Sequence, residues 1–272
     1  MRSEEKEYVL GTDGAELERL GLQHQLWLAQ AAAIWERAGF RRGQRILDVG
    51  CGPGFAALDL AERLGPDGQI VAVDISRRFL AHLEQLAKVR GLTNIRTALS
   101  SVERLVIRES GFDGAYARWV LCFVRRPAAV LREVARRLKR GGTFVIQDYY
   151  RYENITVAPQ SEVFRRVFRA VHQSWQARGG DPDIGCRLPG LLERAGFEVK
   201  EVAPIVRLAR PGSPLWDWPD TFFDIYLPTL VKARFISATE ERAFRREWAR
   251  RSRDSGSFFT SPPMVEIIAV KK

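Results

Sequence analysis

A regular alternation of short apolar runs with helical patterns is the feature that most constrains the fold of this chain. Five runs typical of buried strands cover residues 45–49, 69–73, 94–99, 112–120 and 143–147. Helical spacing of apolar residues appears between them at 56–64, 76–90 and 127–139. Strands separated by helices imply right-handed crossovers. The pattern therefore predicts an α/β fold with a doubly wound, mostly parallel sheet and helices on both faces.

Two further strand-like stretches, residues 197–208 and 265–270, bring the expected sheet to seven strands. Helical insertions are expected after strands five and six, at 151–185 and 209–262. Neither insertion carries a complete core pattern, so we expect both to lie over a sheet edge. The predicted regions are an N-terminal helical segment at residues 1–43, a core at 44–150, and the remaining sheet edge with its insertions at 151–272.

Composition narrows the functional classes. The 272 residues carry 43 basic and 33 acidic side chains, a formal net charge of +10, but both signs are interspersed along helical stretches. That pattern is typical of solvated helix faces rather than of a nucleic-acid site. Three cysteines are too few for a disulfide framework and indicate reduced thiols in the cytoplasm. No run approaches the roughly 18 apolar residues of a membrane span, so no membrane association is expected.

The segment Ile46–Gly54 ends a strand in a loop of three glycines and leads into a helix. Glycines let the main chain approach a ligand, and a helix start offers free N–H groups. Asp74 ends the second strand, where its carboxylate faces this loop and can bind the two hydroxyls of a ribose. A dinucleotide fingerprint requires glycine where Phe55 stands, and a phosphate-binding P-loop pattern does not occur.

This segment resembles motif I of the class I S-adenosylmethionine-dependent methyltransferases, and the likeness runs through much of 44–149. Residues 112–116 and 138–143 are similar to the family's fourth strand and its approach to strand five. The resemblance implies a Rossmann-like fold, S-adenosylmethionine as cofactor, and Asp74 as the ribose-binding acid. It also implies that the N-terminal segment forms a helical lid, in which Tyr8, Gln23, His24 and Trp27 are candidates to close over the cofactor.

The resemblance also implies individual cofactor contacts. Main-chain groups near Gly50 and Ala117–Arg118 would hold the methionine end, and Asp48 would orient its amino group. Many members have an aspartate after strand three that accepts a hydrogen bond from the adenine amino group. This chain has Ser101 at that position, which predicts a weaker or differently oriented contact with the adenine. The expected cofactor-binding residues are Asp48, Gly50, Cys51, Gly52, Gly54, Asp74, Ile75, Ser101, Val102, Ala117 and Arg118.

Methyl transfer from a sulfonium requires chiefly that the acceptor is held in line and that water is excluded. A general base is needed only if the acceptor loses a proton. The candidate catalytic residues are Asp148 and Tyr149, just past strand five, and His172 on the following helix. For His172 the alternative is an ordinary surface or packed histidine. None of the three cysteines has the spacing of a metal ligand, so no metal is expected.

Large rings concentrate in the second half of the chain: Trp175, Trp216, Trp218, Phe222, Phe223, Tyr226, Phe258 and Phe259. They can form a pocket for an apolar acceptor, or they can attach the insertion helices to the sheet. We expect a methyltransferase acting on a small, largely apolar organic acceptor, with a homodimer left open. The alternatives are an RNA or DNA methyltransferase and a cofactor-binding regulatory protein without transfer activity. No Asn/Asp-Pro-Pro-Tyr/Phe tetrapeptide or Pro-Cys dipeptide supports the former.

Overall fold

The computed structural model describes residues 14–272. Its helices are α1 (Gly14–Arg37), α2 (Phe55–Leu64), α3 (Arg77–Val89), α4 (Pro127–Arg137), α5 (Glu162–Ala177), α6 (Leu188–Arg194), α7 (Pro214–Lys232) and α8 (Ala238–Ser252). Its strands are β1 (Arg45–Val49), β2 (Gln69–Asp74), β3 (Ile95–Leu99), β4 (Phe112–Arg118), β5 (Leu138–Tyr149), β6 (Thr156–Ala158), β7 (Phe197–Ile205), β8 (Leu208–Ala209), β9 (Phe258–Thr260) and β10 (Met264–Lys271).

Seven of these strands form one sheet in the order β3-β2-β1-β4-β5-β10-β7. The pairs from β3 to β5 are parallel, and β10 is antiparallel to both of its neighbours. The predicted seven-stranded, mostly parallel, doubly wound sheet is confirmed. Strand order reverses between β1 and β4, and the carboxyl ends of these strands open a crevice there.

Helices cover both faces of the sheet because successive strand residues point to opposite sides. Ile46 and Tyr116 pack in a cluster with residues of α1, α2 and α3. Leu47 and Ala117, each one residue further along, pack in a second cluster with residues of α4 to α8. The first face therefore carries α1, whose Trp35 ring lies 5.4 Å from that of Tyr116.

The junction of α4 and β5 differs from its prediction. The helix ends at Arg137, not Lys139, and the strand begins at Leu138, not at residue 143. Leu138 already pairs with Phe112, and the register then shifts before residue 143 pairs with residue 114. Gly141 and Gly142 lie within this irregular part of the strand.

The sequence analysis missed a second sheet of three short antiparallel strands, ordered β6-β9-β8. It also wrongly predicted residues 197–208 as one strand, because the chain leaves the large sheet after Ile205 and pairs Leu208–Ala209 in the small one. The small sheet ties the two insertions together beside α5, α7 and α8. Residues 1–13, including Tyr8, lie outside the described residues. Over residues 14–272, we find no helix with both the length and the apolar character to cross a membrane.

Candidate active site

The glycine loop between β1 and α2 has a left-handed backbone at Gly50, Gly52 and Gly54, with φ of 69°, 54° and 87°. A Cβ added to Gly50 would lie 2.7 Å from Val120, and one added to Gly54 would lie 2.4 Å from Leu83. Packing alone therefore requires glycine at both positions. At Gly52 no atom of the described residues lies within 4 Å of the added Cβ. The middle of the loop thus faces open space that a ligand can occupy.

Asp74 closes β2 against this loop. Its Oδ2 accepts a hydrogen bond from the Gly52 amide at 2.9 Å, and its Oδ1 accepts from the Ser76 amide at 2.8 Å. Burial raises the pKa of Asp74, while these main-chain donors act in the opposite direction. Ile75, the next residue, is exposed. The structure therefore brings the predicted acid and the predicted loop into direct contact.

A second acid lies beneath the loop, at Asp48 of β1. Its side chain is buried, and its Oδ2 has no hydrogen-bond partner within residues 14–272. Burial raises the pKa of Asp48 to about 7, and the positive charge of Arg118 opposes that shift. Asp48 pairs with Tyr116 across β4, so Arg118, two residues further, points to the same face of the sheet.

Arg118 is the last residue of β4, and its guanidinium contacts the side chains of His24 and Trp119. The Nη2 of Arg118 donates a hydrogen bond to His24 Nδ1 at 2.7 Å, and the guanidinium carbon lies 4.8 Å from the ring centre of Trp119. Its Nη1 is buried, and the described part of the chain offers it no hydrogen-bond acceptor. Asp48 and Arg118 thus present a buried carboxylate oxygen and a buried guanidinium nitrogen, both with unused bonding capacity. An amino-acid group, with one ammonium and one carboxylate, would complement this pair.

The other predicted cofactor residues surround the same crevice. Ser101 is exposed, and its hydroxyl accepts a 3.3 Å hydrogen bond from the Glu103 amide. Val102 and Ala117 are buried in the cluster beneath. Cys51 lies in the loop, and burial raises the pKa of its thiol well above the usual value, so the sulfur stays uncharged.

Of the three predicted catalytic residues, Asp148 does not line the cavity between α1, α5 and α7. Its Oδ2 accepts from the amides of Leu121 and Cys122 at 2.8 and 3.2 Å, and its Oδ1 accepts from the Tyr149 amide at 2.9 Å. Burial raises its pKa to about 6. The carboxylate therefore fixes the main chain that follows β4 and β5.

His172 does not line the cavity between α1, α5 and α7 either. Its Nε2 lies 3.0 Å from Asp183 Oδ2, and Asp183 Oδ1 accepts from the Tyr152 amide at 2.8 Å. Asp183 therefore links the histidine to the main chain of Tyr152. Tyr149, by contrast, lines a cavity with Tyr152, and burial raises the pKa of its hydroxyl well above the usual value.

This cavity begins at Trp119, directly after Arg118, and lies between α1, α5 and α7. Its volume is at most about 530 Å³, with the open mouth included. Rings form most of its wall, which consists of Arg19, Gln23, Trp119, Phe123, Tyr149, Tyr152, Ile155, Phe168, Trp175, Trp218, Pro219, Phe222, Phe223, Phe259 and Pro262. The space is therefore an apolar pocket with a few polar groups, as is typical of small-molecule sites.

Five of the predicted rings line this cavity: Trp175, Trp218, Phe222, Phe223 and Phe259. Trp216 does not, because it stacks on Trp248 of α8 with ring centres 4.5 Å apart. Some of the predicted rings therefore line a cavity, whereas Trp216 packs one insertion helix against another. Phe258 and Tyr226 also lie outside the lining.

Sequence reasoning missed Trp119, which stands at the centre of the site. Its backbone has a φ of 54°, rare for a bulky residue, and its ring lies 6.1 Å from that of Tyr149 and 5.9 Å from that of Trp27. Its position directly after a strand end at the switch point was a usable signal. The ring lines the cavity and packs against the Arg118 guanidinium, so the strained backbone holds it at a candidate functional position.

Helix α1 closes one side of the cavity. Gln23 accepts a hydrogen bond from the indole nitrogen of Trp218 at 3.1 Å, which joins α1 to α7. Trp27 meets the ring of Trp218 edge-on at 5.7 Å. Two of the candidates proposed for the lid thus lie against the cavity. Nowhere in residues 14–272 do three or more potential metal ligands gather.

Comparisons with known proteins agree with this geometry. A family model described as a methyltransferase domain matches residues 40–202. The chain is 34% identical over 112 residues to a demethylmenaquinone methyltransferase of Geobacillus kaustophilus, which covers 41% of this chain and 48% of that one. It is 31% identical over 177 residues to O-methyltransferase rstn1 of Aspergillus nomiae, covering 63% and 72%. The chain thus spans about half the length of several curated relatives that it matches.

Solved structures show the same fold. A SAM-dependent methyltransferase from Aquifex aeolicus has a TM-score of 0.55 at 20% identity, with coverage of 70% of this chain and 92% of that one. A geranyl diphosphate methyltransferase has a TM-score of 0.58 at 16% identity, with coverage of 92% and 79%. Because the family model matches more than half of the chain and the glycine loop, switch point and strand order all agree, the chain belongs to the class I S-adenosylmethionine-dependent methyltransferases.

Proposed function

We propose that this protein transfers a methyl group from S-adenosylmethionine to a small, largely apolar organic acceptor held in the aromatic cavity. One observation carries the proposal: a ring-lined cavity begins at Trp119, the residue that follows Arg118 and whose ring packs against the Arg118 guanidinium. The many rings and few polar groups of this cavity are typical of a site for a small organic molecule. The Geobacillus relative, named a demethylmenaquinone methyltransferase, supports a ring-bearing acceptor.

The residues around the loop fit the cofactor. Asp74 would bind the two ribose hydroxyls, and the open space at Gly52 would admit the nucleoside close to the main chain. The unpaired Oδ2 of Asp48 would accept from the ammonium, and the unpaired Nη1 of Arg118 would donate to the carboxylate. Both buried groups would then have hydrogen-bond partners.

The adenine would lie at the ends of β2 and β3, between the exposed Ile75 and the buried Val102, with the Ser101 hydroxyl beside it. Main-chain groups of Gly50, Cys51 and Ala117 would line the rest of the cofactor site, and Gly54 would allow the turn that starts α2.

When bound, the cofactor supplies a methyl group that its positive sulfur already activates. The residues of this chain must then hold the acceptor and exclude water. The stacked rings of Trp119 and Tyr149 would place a flat acceptor beside the cofactor site, and the Gln23–Trp218 contact would close the cavity above it. Because burial holds the pKa of Tyr149 high, its hydroxyl would orient the acceptor as a neutral group.

We assign supporting roles to the other two predicted catalytic residues. Asp148 would position Tyr149 and the main chain of Leu121 through its three hydrogen bonds. His172 would position Tyr152 through Asp183. Neither would contact the acceptor. The homodimer and the cytoplasmic location stay predictions.

Calorimetry with S-adenosylhomocysteine tests the cofactor site. Asp74→Asn removes the charged acceptor of the ribose hydroxyls, which should raise Kd by roughly 10- to 100-fold. Glu84→Gln, on the exposed side of α3, is a matched control that should leave Kd unchanged. An unchanged Kd for Asp74→Asn would contradict the assignment of the ribose to this residue.

Incubation with methyl-labelled S-adenosylmethionine and panels of phenols, quinols, amines and carboxylic acids tests the transfer. Label should move to an apolar ring-bearing acceptor. Tight cofactor binding without transfer to any panel would favour a regulatory protein. Binding of oligonucleotides that weakens steeply with salt would favour a nucleic-acid methyltransferase instead.

A further inference from the structure

We propose that His24 is a positioning residue of the cofactor site: its neutral imidazole holds the Arg118 guanidinium in the orientation that receives the carboxylate of the cofactor. This inference rests on the proposed function, because it takes that carboxylate as the partner of Arg118. It adds a residue of α1 to a site otherwise built from the loops of the sheet. It also makes cofactor affinity depend on the protonation of one side chain.

The two contacts of His24 define its protonation state. Nδ1 lies 2.7 Å from Arg118 Nη2, and Nε2 lies 2.7 Å from Asp59 Oδ2 on α2. A guanidinium nitrogen can only donate, so Nδ1 must accept and must carry no proton. Nε2 then carries the ring proton and donates it to the carboxylate of Asp59. Only the neutral ring with its proton on Nε2 makes both bonds.

The surroundings favour that neutral form. His24 is 6% exposed, and its ring stacks on Phe55 at 5.9 Å, at the start of α2. Burial lowers the pKa of His24, and the charges of Arg118 and Arg90 lower it further, while Asp59 raises it. Arg90, from the end of α3, reaches Asp59 Oδ1 at 3.3 Å. Among the described residues, these are the charged groups that face the ring.

The bridge sets the direction of Arg118. One guanidinium nitrogen is held by His24, so the other, Nη1, which is buried and has no acceptor within residues 14–272, is the nitrogen that remains to receive the carboxylate of the cofactor. Protonation of Nδ1 would place two donors and two positive charges 2.7 Å apart, and this contact would break. Arg118 would then lose its fixed orientation, and α1 would lose one contact with the cofactor site. Acidification should therefore weaken cofactor binding through His24.

Two substitutions separate the two contacts. His24→Asn places an amide oxygen near the position of Nδ1, where it can accept from Arg118, but the side chain is too short for Asp59. His24→Gln places an amide nitrogen near the position of Nε2, where it can donate to Asp59, but leaves Arg118 without an acceptor. We expect His24→Gln to raise the Kd of S-adenosylhomocysteine about tenfold or more, and His24→Asn to change it less than about threefold.

The Kd of a ligand without the amino-acid part distinguishes the positioning of Arg118 by His24 from a purely structural role of His24. The Kd of 5′-methylthioadenosine, which lacks both ammonium and carboxylate, should be equal in the wild type and in both variants. From about pH 8 to about pH 5.5, the Kd of S-adenosylhomocysteine should rise less in His24→Asn than in the wild type. The remaining pH dependence would come from Asp48.

Three outcomes would overturn the inference. The first is that His24→Gln and His24→Asn bind S-adenosylhomocysteine with equal Kd values. The second is that a variant loses as much affinity for 5′-methylthioadenosine as for S-adenosylhomocysteine. The third is that the Kd of S-adenosylhomocysteine depends on pH in His24→Asn as it does in the wild type. If His24→Gln fails to fold, the comparison of wild type with His24→Asn across pH decides alone. A wild-type protein that binds neither ligand would refute the proposed function itself, so the two failures are distinguishable.

Discussion

Gly52→Ala should separate cofactor binding from folding. Gly52 has a φ of 54°, and a Cβ there meets no atom of the described residues within 4 Å. The fold should therefore lose only the cost of a left-handed residue, about 1–2 kcal/mol. For a domain of this size that loss lowers Tm by roughly 2–8 °C. The new methyl would occupy the space assigned to the nucleoside, which should cost about 1–3 kcal/mol of binding and raise Kd roughly 5- to 150-fold.

Two glycines provide the controls. Gly39, after α1, also has a positive φ of 75° and open space at its Cβ, so Gly39→Ala should lower Tm similarly without changing Kd. Gly54→Ala would bring a Cβ to 2.4 Å from Leu83 and should cost far more stability. Differential scanning fluorimetry and calorimetry with S-adenosylhomocysteine measure the two effects. Gly52→Ala with the wild-type Kd would refute the placement of the cofactor at the middle of the loop.

Three further predictions concern single side chains. The pKa of Asp48 is raised to about 7, so the folded protein retains a proton that the unfolded chain releases. The contribution of Asp48 to the free energy of unfolding therefore falls as the pH rises from about 4 to about 7. Asp48→Asn should remove that fall, measured as a smaller difference between urea midpoints at the two ends of this range. His172→Ala should raise the acceptor KM about two- to tenfold at constant cofactor Kd, since its effect passes through Asp183; an altered Kd would place it elsewhere. Ser101→Ala should weaken cofactor binding by at most about fivefold, and an identical calorimetric Kd would remove this hydroxyl from the adenine contacts.

The sheet and the cofactor loop were predictable because their signals are local. A strand, a glycine loop, a helix and a terminal acid follow one another within residues 45–74, and the structure joins Asp74 to Gly52 as that order requires. The small sheet was not predictable. Its strands have two or three residues each, and Thr156 pairs with Thr260, more than a hundred positions away. Such short runs have no periodicity to detect.

The acceptor side of the site was predictable only in composition. The rings were recognised, but Trp216 and Trp218, two residues apart, have different roles because α7 presents them to different neighbours. Asp148 lies at the correct sheet edge, yet its oxygens are used by three amides of the main chain. His24 could be placed on the first helix, but its partners lie 35 and 94 positions away.

The position of β10 has a consequence for how the chain is made. This strand lies between β5 and β7 and pairs with both along nearly its whole length. During synthesis, β7 leaves the ribosome more than fifty residues before the strand that attaches it to the rest of the sheet. Until then β5 keeps an open edge, which other chains can join. Slow translation between residues 206 and 263 should therefore increase aggregation of the nascent protein, and chaperone binding in that interval should suppress it.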